Sequence, residues 1–165
     1  MRDYASFYKN LTSSIRQSPL ALSLLATFNR SVTKLMYLLY PLLLGYISLN
    51  SPNQLLIYIL VPGLTFLLVT IIRKVINQAR PYEKWSIQPI MTKDTVGQSM
   101  PSRHVFSATM ISMCFLSFNI CLGLVLLILS ATLAICRVLG GVHYPKDVIA
   151  GMLIGILAGL VLIIS

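Results

Sequence analysis

Apolar runs close to the thickness of a bilayer recur along this chain, and they constrain its fold more than any other feature. Val32 to Leu49, Gln54 to Ile72, Val105 to Phe118, Ile120 to Ile135 and Val148 to Ile164 are nearly free of charge. A helix needs about 20 such residues to cross the hydrocarbon core, so the shorter segments must be extended by polar ends that reach the headgroups. Backbone amides and carbonyls find no water in that core, which leaves the helix as the spanning form for segments of this kind. Pro41 and Pro62 fall inside two of them and are tolerated there as kinks. The expected fold is all-α, an integral membrane helical bundle of five transmembrane helices.

Residues 1–29 are different. They alternate charge with apolar patches, and only Leu20 to Phe28 is strongly hydrophobic. The segment reads as an interfacial amphipathic helix, with a short sixth span as the alternative. Arg2, Asp3, Lys9 and Arg16 precede the apolar stretch without a small-residue cleavage site, which argues against a removable signal peptide. The single transmembrane domain is then 30–165, with polar loops at 73–104 and 136–147.

Only 10% of the residues are charged and 56% are hydrophobic. A soluble domain carries about a quarter charged residues, so the composition agrees with the segment pattern. The charge that exists is unbalanced. Thirteen Lys and Arg face four acids, Asp3, Glu83, Asp94 and Asp147, for a net charge of +9. Such a surplus suits anionic headgroups or phosphorylated substrates. Nucleic acid is excluded as a partner, because the cations flank apolar spans and no nucleic-acid-binding motif accompanies them. Cys114, Cys121 and Cys136 lie in or beside apolar spans without metal-type spacing and read as packing residues. Counting crossings puts both polar loops on one membrane face. Every Lys and Arg falls on that face if residues 1–29 do not cross.

Three clusters sit where apolar segments meet that face. In the first, Arg73 and Arg80 are seven residues apart, which a helix places on nearly one side, while Lys74, six before Arg80, points well away; Pro81 frays the helix end. Basic residues at a span end also serve as plain headgroup anchors. In the second, Met100-Pro101-Ser102-Arg103-His104 starts the third segment. A helix start with proline presents free amides to an anion, to which Ser102 adds a hydroxyl, Arg103 a charge and His104 a group that carries a proton near neutral pH. An ordinary capped helix would look similar. In the third, Arg137 is followed by Gly140-Gly141, His143 and Asp147. Asp147 can accept from one ring nitrogen of His143 and leave the other free to attack, or it can simply complement a helix start.

Two histidines in distinct settings supply a nucleophile and an acid for phosphoryl transfer. Arginines supply donors for the equatorial oxygens where charge spreads. No carboxylate cluster is present to hold magnesium or calcium, and two histidines with one aspartate among so many cations make a poor zinc site. The expectation is chemistry without metal or cofactor.

These blocks resemble the signature of the type 2 phosphatidic-acid phosphatase superfamily, to which the vanadium haloperoxidases also belong. The family pattern is Lys-x6-Arg-Pro, then Pro-Ser-Gly-His, then Ser-Arg-x5-His-x3-Asp. Here Arg73 to Arg80-Pro81, Pro101-Ser102-Arg103-His104, and Cys136-Arg137 to His143 and Asp147 follow in that order and spacing. The resemblance implies that His143 forms a phosphohistidine, Asp147 orients it and His104 protonates the leaving group. Arg73, Arg80, Ser102, Arg103 and Arg137 would cradle the phosphate, with Lys74 partly compensating for arginine at the first lysine position. Cys136 replaces the family serine and Arg103 the family glycine. Arg103, beside His104, is a candidate contact for a second phosphate.

The implied activity is hydrolysis of a lipid phosphomonoester or pyrophosphate, such as phosphatidic acid, phosphatidylglycerol phosphate or a polyprenyl pyrophosphate, with membrane lipids as surroundings. A lipid phosphotransferase using the same site, or a headgroup-binding protein without catalysis, are the alternatives. The one-sided cations argue for a cytoplasmic site, whereas relatives that handle cell-wall carrier lipids work outside the plasma membrane. The expectation follows the relatives.

Overall fold

The computed structural model describes residues 3–91 and 95–164. Arg2, Lys93 and Asp94 of the charge reading lie outside the described residues, as does part of the loop 73–104. Among the described residues the chain is helical with no strand: α1 (Tyr4–Arg16), α2 (Pro19–Asn50), α3 (Pro52–Ile76), α4 (Pro81–Lys84), α5 (Arg103–Leu116), α6 (Ile120–Leu139) and α7 (Pro145–Ile164).

The short α1 starts at Asp3, whose side chain accepts from the Ala5 amide. It buries Tyr8 and Thr12 on one side and exposes Phe7 and Leu11 on the other, as an interfacial helix does. At 13 residues it is shorter than the roughly 20 that a spanning helix needs. Tyr8 Oη donates to the Leu139 carbonyl at 2.9 Å, and Arg16 bonds the Gln88 carbonyl, so α1 lies against the loops of the basic face.

Ser18 caps α2, with Pro19 at its first turn. The helix then runs unbroken from Pro19 through Pro41 to Asn50, and so continues across position 29, where the sequence pattern suggests a change of segment. Its 32 residues amount to about 48 Å, longer than the roughly 30 Å hydrocarbon core. Arg30 and Lys34 interrupt the apolar pattern, as basic residues do where a helix passes the headgroup level. They do not end it.

Four helices, α2, α3, α6 and α7, are long and apolar enough to span a membrane. The fifth apolar segment folds as α5, only 14 residues long. Nine of its 14 residues are buried, and it feeds three core clusters: Phe106, Met110 and Cys114 meet α2, α3 and α7; Ala108 and Ile111 meet α2 and α6; Val105 meets Ala134 and Val148. Neighbours from α2, α3, α6 and α7 cover most of it, so it has less need of full span length. Polar links inside the bundle are satisfied helix to helix, as with Thr109 and Ser130 hydroxyls at 2.7 Å. The outward faces carry exposed Leu, Ile and Val, such as Leu56, Leu64, Ile128 and Leu157, as a lipid-facing surface requires.

The tightest pair is α5 with α7. Gly151, Gly155 and Gly159 recur every fourth residue and face α5. A Cβ on Gly151 would stand 2.6 Å from the Ser102 carbonyl oxygen, and one on Gly159 would stand 2.3 Å from Met113 Cβ. Bare backbone lets the helices touch. This contact, with the Ser102 amide bonded to the Asp147 carbonyl at 2.8 Å, locks the start of α5 to the start of α7.

Candidate active site

The three basic clusters converge at the end of the bundle where α3 stops, α5 and α7 begin and α6 ends. Arg73 lies in the last turn of α3, and Asn77 closes that helix in the left-handed conformation. Arg80 is extended just before α4, Ser102 is the residue preceding α5, and Arg137 sits in the last turn of α6. The turn after α6 carries Gly141 at φ 75°, with the Tyr8 hydroxyl 2.7 Å from where its Cβ would be. Both the backbone angle and the close approach demand glycine there. That turn delivers His143 to the site, and Asp147 follows within the first turn of α7.

His143 is 1% exposed and Asp147 fully buried. The ring Nδ1 lies 3.7 Å from Asp147 Oδ2 and 3.4 Å from Ser99 Oγ, while Ser99 Oγ itself donates to Asp147 Oδ2. The one hydroxyl proton of Ser99 is therefore committed to the carboxylate. A hydrogen between Ser99 Oγ and Nδ1 must come from the ring, which assigns Nδ1–H and leaves the Nε2 lone pair open. The carboxylate is held by more than the histidine: Gln78 Nε2 donates to Oδ1 at 3.1 Å and the Tyr144 amide to Oδ2 at 3.0 Å. Burial lowers the His143 pKa to about 4, with Arg137 and Arg80 pushing the same way and the Asp147 bond opposing. The ring is neutral at physiological pH.

A cavity of about 410 Å³ opens onto this ring, walled by Arg73, Arg80, Arg103, His104, His143 and backbone of 95–98. Arg80 is fixed by the Gly97 carbonyl at 3.0 Å and the Val142 carbonyl at 3.3 Å, and Arg73 by the Pro101 carbonyl. Among the described residues no carboxylate pairs with these guanidiniums. Arg137 is 5% exposed, and its Nε and Nη2 have no hydrogen-bond partner; Ser102 Oγ is likewise buried and unpartnered. Buried donors in this arrangement fit a bound anion.

The candidates from the sequence thus divide. His104, His143, Arg73, Arg80 and Arg103 line one cavity, Arg137 and Ser102 hold unpartnered donors beside it, and Asp147 stands behind His143. Arg103 is exposed, with its guanidinium 5.5 Å over the Phe66 ring. Lys74 is exposed and lines neither this cavity nor its neighbour, because the next residue on a helix points about 100° away from Arg73. Cys136 is buried beside Arg137. Ser99 and Gln78 were not legible as site residues from sequence. The only hint is that a buried carboxylate requires more donors than one imidazole, and the polar loop is the place to seek them.

The family model of the PAP2 superfamily matches residues 54–165, which contain all three clusters. A bacitracin transport permease protein, BcrC, of Bacillus licheniformis is 29% identical over 132 residues, 75% of this chain. The match spans 64% of that relative's length, a little under two thirds. Among solved structures, LpxE of Aquifex aeolicus superposes with a TM-score of 0.76 at 23% identity, covering 97% of this chain and 94% of that one. A transmembrane PAP2-type phosphatidylglycerolphosphate phosphatase from Bacillus subtilis gives 0.59 at 20% identity, covering 94% and 90%. At these identities the two structures speak for a shared fold.

Proposed function

This chain belongs to the PAP2 superfamily, and on that footing we propose that it is a lipid phosphate phosphatase that works through a phosphohistidine on His143 without a metal. The observation that carries the reading is the buried His143, aligned by Asp147 and Ser99, in one cavity with His104 and the guanidiniums of Arg73, Arg80 and Arg103.

Nε2 of His143 attacks the phosphorus of the terminal phosphate. The bond to the leaving oxygen breaks, its electron pair stays on that oxygen, and His104 gives it a proton. Water then attacks the phosphohistidine, passes a proton to His104 and releases inorganic phosphate, restoring Nε2. Arg73, Arg80 and Arg137 hold the equatorial oxygens, where charge spreads in the transition state. Ser102 Oγ and Arg103 complete the cradle. Three guanidiniums supply the positive charge that a metal would bring, and among the described residues no three His, Cys, Asp or Glu side chains gather as ligands.

The protein is multi-pass, and this reading puts it in the plasma membrane with the site extracytoplasmic. The positive-inside rule points the other way, but Arg73, Arg80, Arg103 and Arg137 serve the site and do not report topology. A Lys84→Cys chain stripped of its native cysteines, labelled in intact cells by an impermeant thiol reagent, tests the facing. Protection until lysis would place the site inside.

The function is tested by phosphate release from phosphatidic acid, phosphatidylglycerol phosphate and undecaprenyl pyrophosphate, with purified protein in detergent and chelator present. Release that persists in chelator and vanishes in His143→Ala supports the reading. Full release by His143→Ala would end it.

A further inference from the structure

A second cavity, of about 420 Å³, lies between α2 and α6 and shares His104 with the site. Its walls carry Asn29, Arg30, Lys34, Tyr37 and Arg137. Arg30 and Lys34 are one turn apart on the same face of α2. Opposite them Arg137, 95% buried, uses only Nη1, on Asn29 Oδ1 at 3.4 Å, and keeps Nε and Nη2 unpartnered. Tyr37 belongs in turn to a third, apolar groove of about 230 Å³ that descends between α2, α3 and α5 past Phe66, Phe106 and Met110.

The order of these spaces matters. From His143 the path runs to His104, then to a pocket with three cations, then past Tyr37 to an apolar groove open to the lipid. A molecule laid along it presents a terminal phosphate, a bridging oxygen, a second anionic centre and a hydrocarbon chain. A lipid monophosphate would leave a neutral alcohol among those cations. We propose that the cavity between α2 and α6 is a subsite for the second phosphate of a lipid diphosphate, and that Arg30 and Lys34 set this specificity. The inference rests on the phosphatase reading of the neighbouring cavity and narrows its substrate class. It assigns the second phosphate to α2 and not to Arg103, whose guanidinium is drawn toward α3 over Phe66.

On this view the step at His104 gains twice. Cleavage of the bond between the phosphates leaves a lipid monophosphate, and its new charge develops next to Arg30, Lys34 and the inner edge of Arg137. Cations placed where charge develops favour the transition state over the bound substrate.

The test compares farnesyl diphosphate with farnesyl phosphate, using the purified full chain in detergent. Wild type should favour the diphosphate by at least about tenfold in kcat/KM, roughly what one or two charge-assisted contacts give. In Arg30→Ala/Lys34→Ala the ratio should collapse toward unity, through a fall in kcat as well as a rise in KM for the diphosphate, and Arg30→Lys/Lys34→Arg should restore most of it. A ratio in the alanine pair within about threefold of wild type overturns the proposal and marks the two cations as headgroup anchors. If wild type hydrolyses neither lipid, the phosphatase reading fails while the subsite is still decided by calorimetry with methylenediphosphonate. Binding about tenfold weaker in the alanine pair supports the subsite, and equal binding overturns it.

Discussion

Ser99 Oγ donates to Asp147 Oδ2 and stands 3.4 Å from His143 Nδ1, so a single hydroxyl from the 77–102 loop joins the carboxylate to the imidazole. The direct His143–Asp147 distance is longer, 3.7 Å. Ser99 is therefore a positioning residue for the ring. Ser99→Ala should lower kcat about tenfold, the effect of roughly 1.4 kcal/mol on the barrier, with a smaller change in KM. Ser99→Thr should recover part of the loss. Steady-state kinetics on any hydrolysed lipid phosphate would show the split, and a purely structural role would change stability and leave kcat alone.

Burial that holds the His143 pKa near 4 has a consequence for stability. Unfolding returns the imidazole to its ordinary value near 6.5, so between these pH values the unfolded chain binds a proton that the folded chain refuses. The stability tied to this group is present above pH 6.5 and is lost as pH falls toward 4. Melting curves should show a steeper acid-side loss in wild type than in His143→Gln. The same burial keeps the proposed nucleophile neutral, so the acid limb of kcat/KM should not titrate at 6.5 because of His143.

The α5–α7 contact predicts a contrast among glycines. Gly151→Ala puts a methyl 2.6 Å from the Ser102 carbonyl oxygen, where backbone must move. Overpacking of this sort costs about 1–3 kcal/mol, and it displaces Ser102 and His104 from His143. Gly45→Ala meets nothing within 4 Å and should stabilise α2 by up to about 1 kcal/mol. Thermal melts in detergent, read beside activity, check both.

Tyr8 ties α1 to the turn before His143. Its hydroxyl donates to the Leu139 carbonyl at 2.9 Å and accepts from the Ile90 amide at 3.4 Å. Tyr8→Phe should cost about 1 kcal/mol and speed proteolysis within 85–91. A modest fall in kcat should accompany it, because the 139–144 turn loosens.

Arg137→Lys should be severe although charge is kept. Lysine reaches an oxyanion with a point charge and cannot present the planar fork of Nε and Nη2 that stands unpartnered here. A loss of about a hundredfold in kcat/KM is expected, with methylenediphosphonate binding weakened in parallel.

The parts of the fold that follow periodic chemistry could be read from the chain. The apolar segments and the basic clusters at their ends are written in runs and counts, and Pro101 announces the start of α5 beside the site. What could not be read depends on distant pieces meeting. Ser99 and Gln78 acquire their role only when the 77–102 loop folds over Asp147. The continuity of α2 through Asn29 and Arg30 is hidden because a helix emerging from lipid becomes polar without ending. The glycines of α7 are visible as a repeat every fourth residue, yet only the partner helix says what they admit. Lys74 illustrates the opposite case: its divergence from Arg80 was already implied by its position six residues before it.

The glycine-faced pairing of α5 and α7 binds Ser102, His104, His143 and Asp147 into one rigid block, while Arg30, Lys34, Tyr37 and Phe66 stand on α2 and α3, outside it. On the proposed reading, the two histidines and the proposed contacts to the lipid are therefore mounted on separate parts. Drift in the outer helices can retune which headgroup and tail are accepted while the reacting atoms keep their spacing, whereas one methyl added along the α7 seam would disturb every substrate alike.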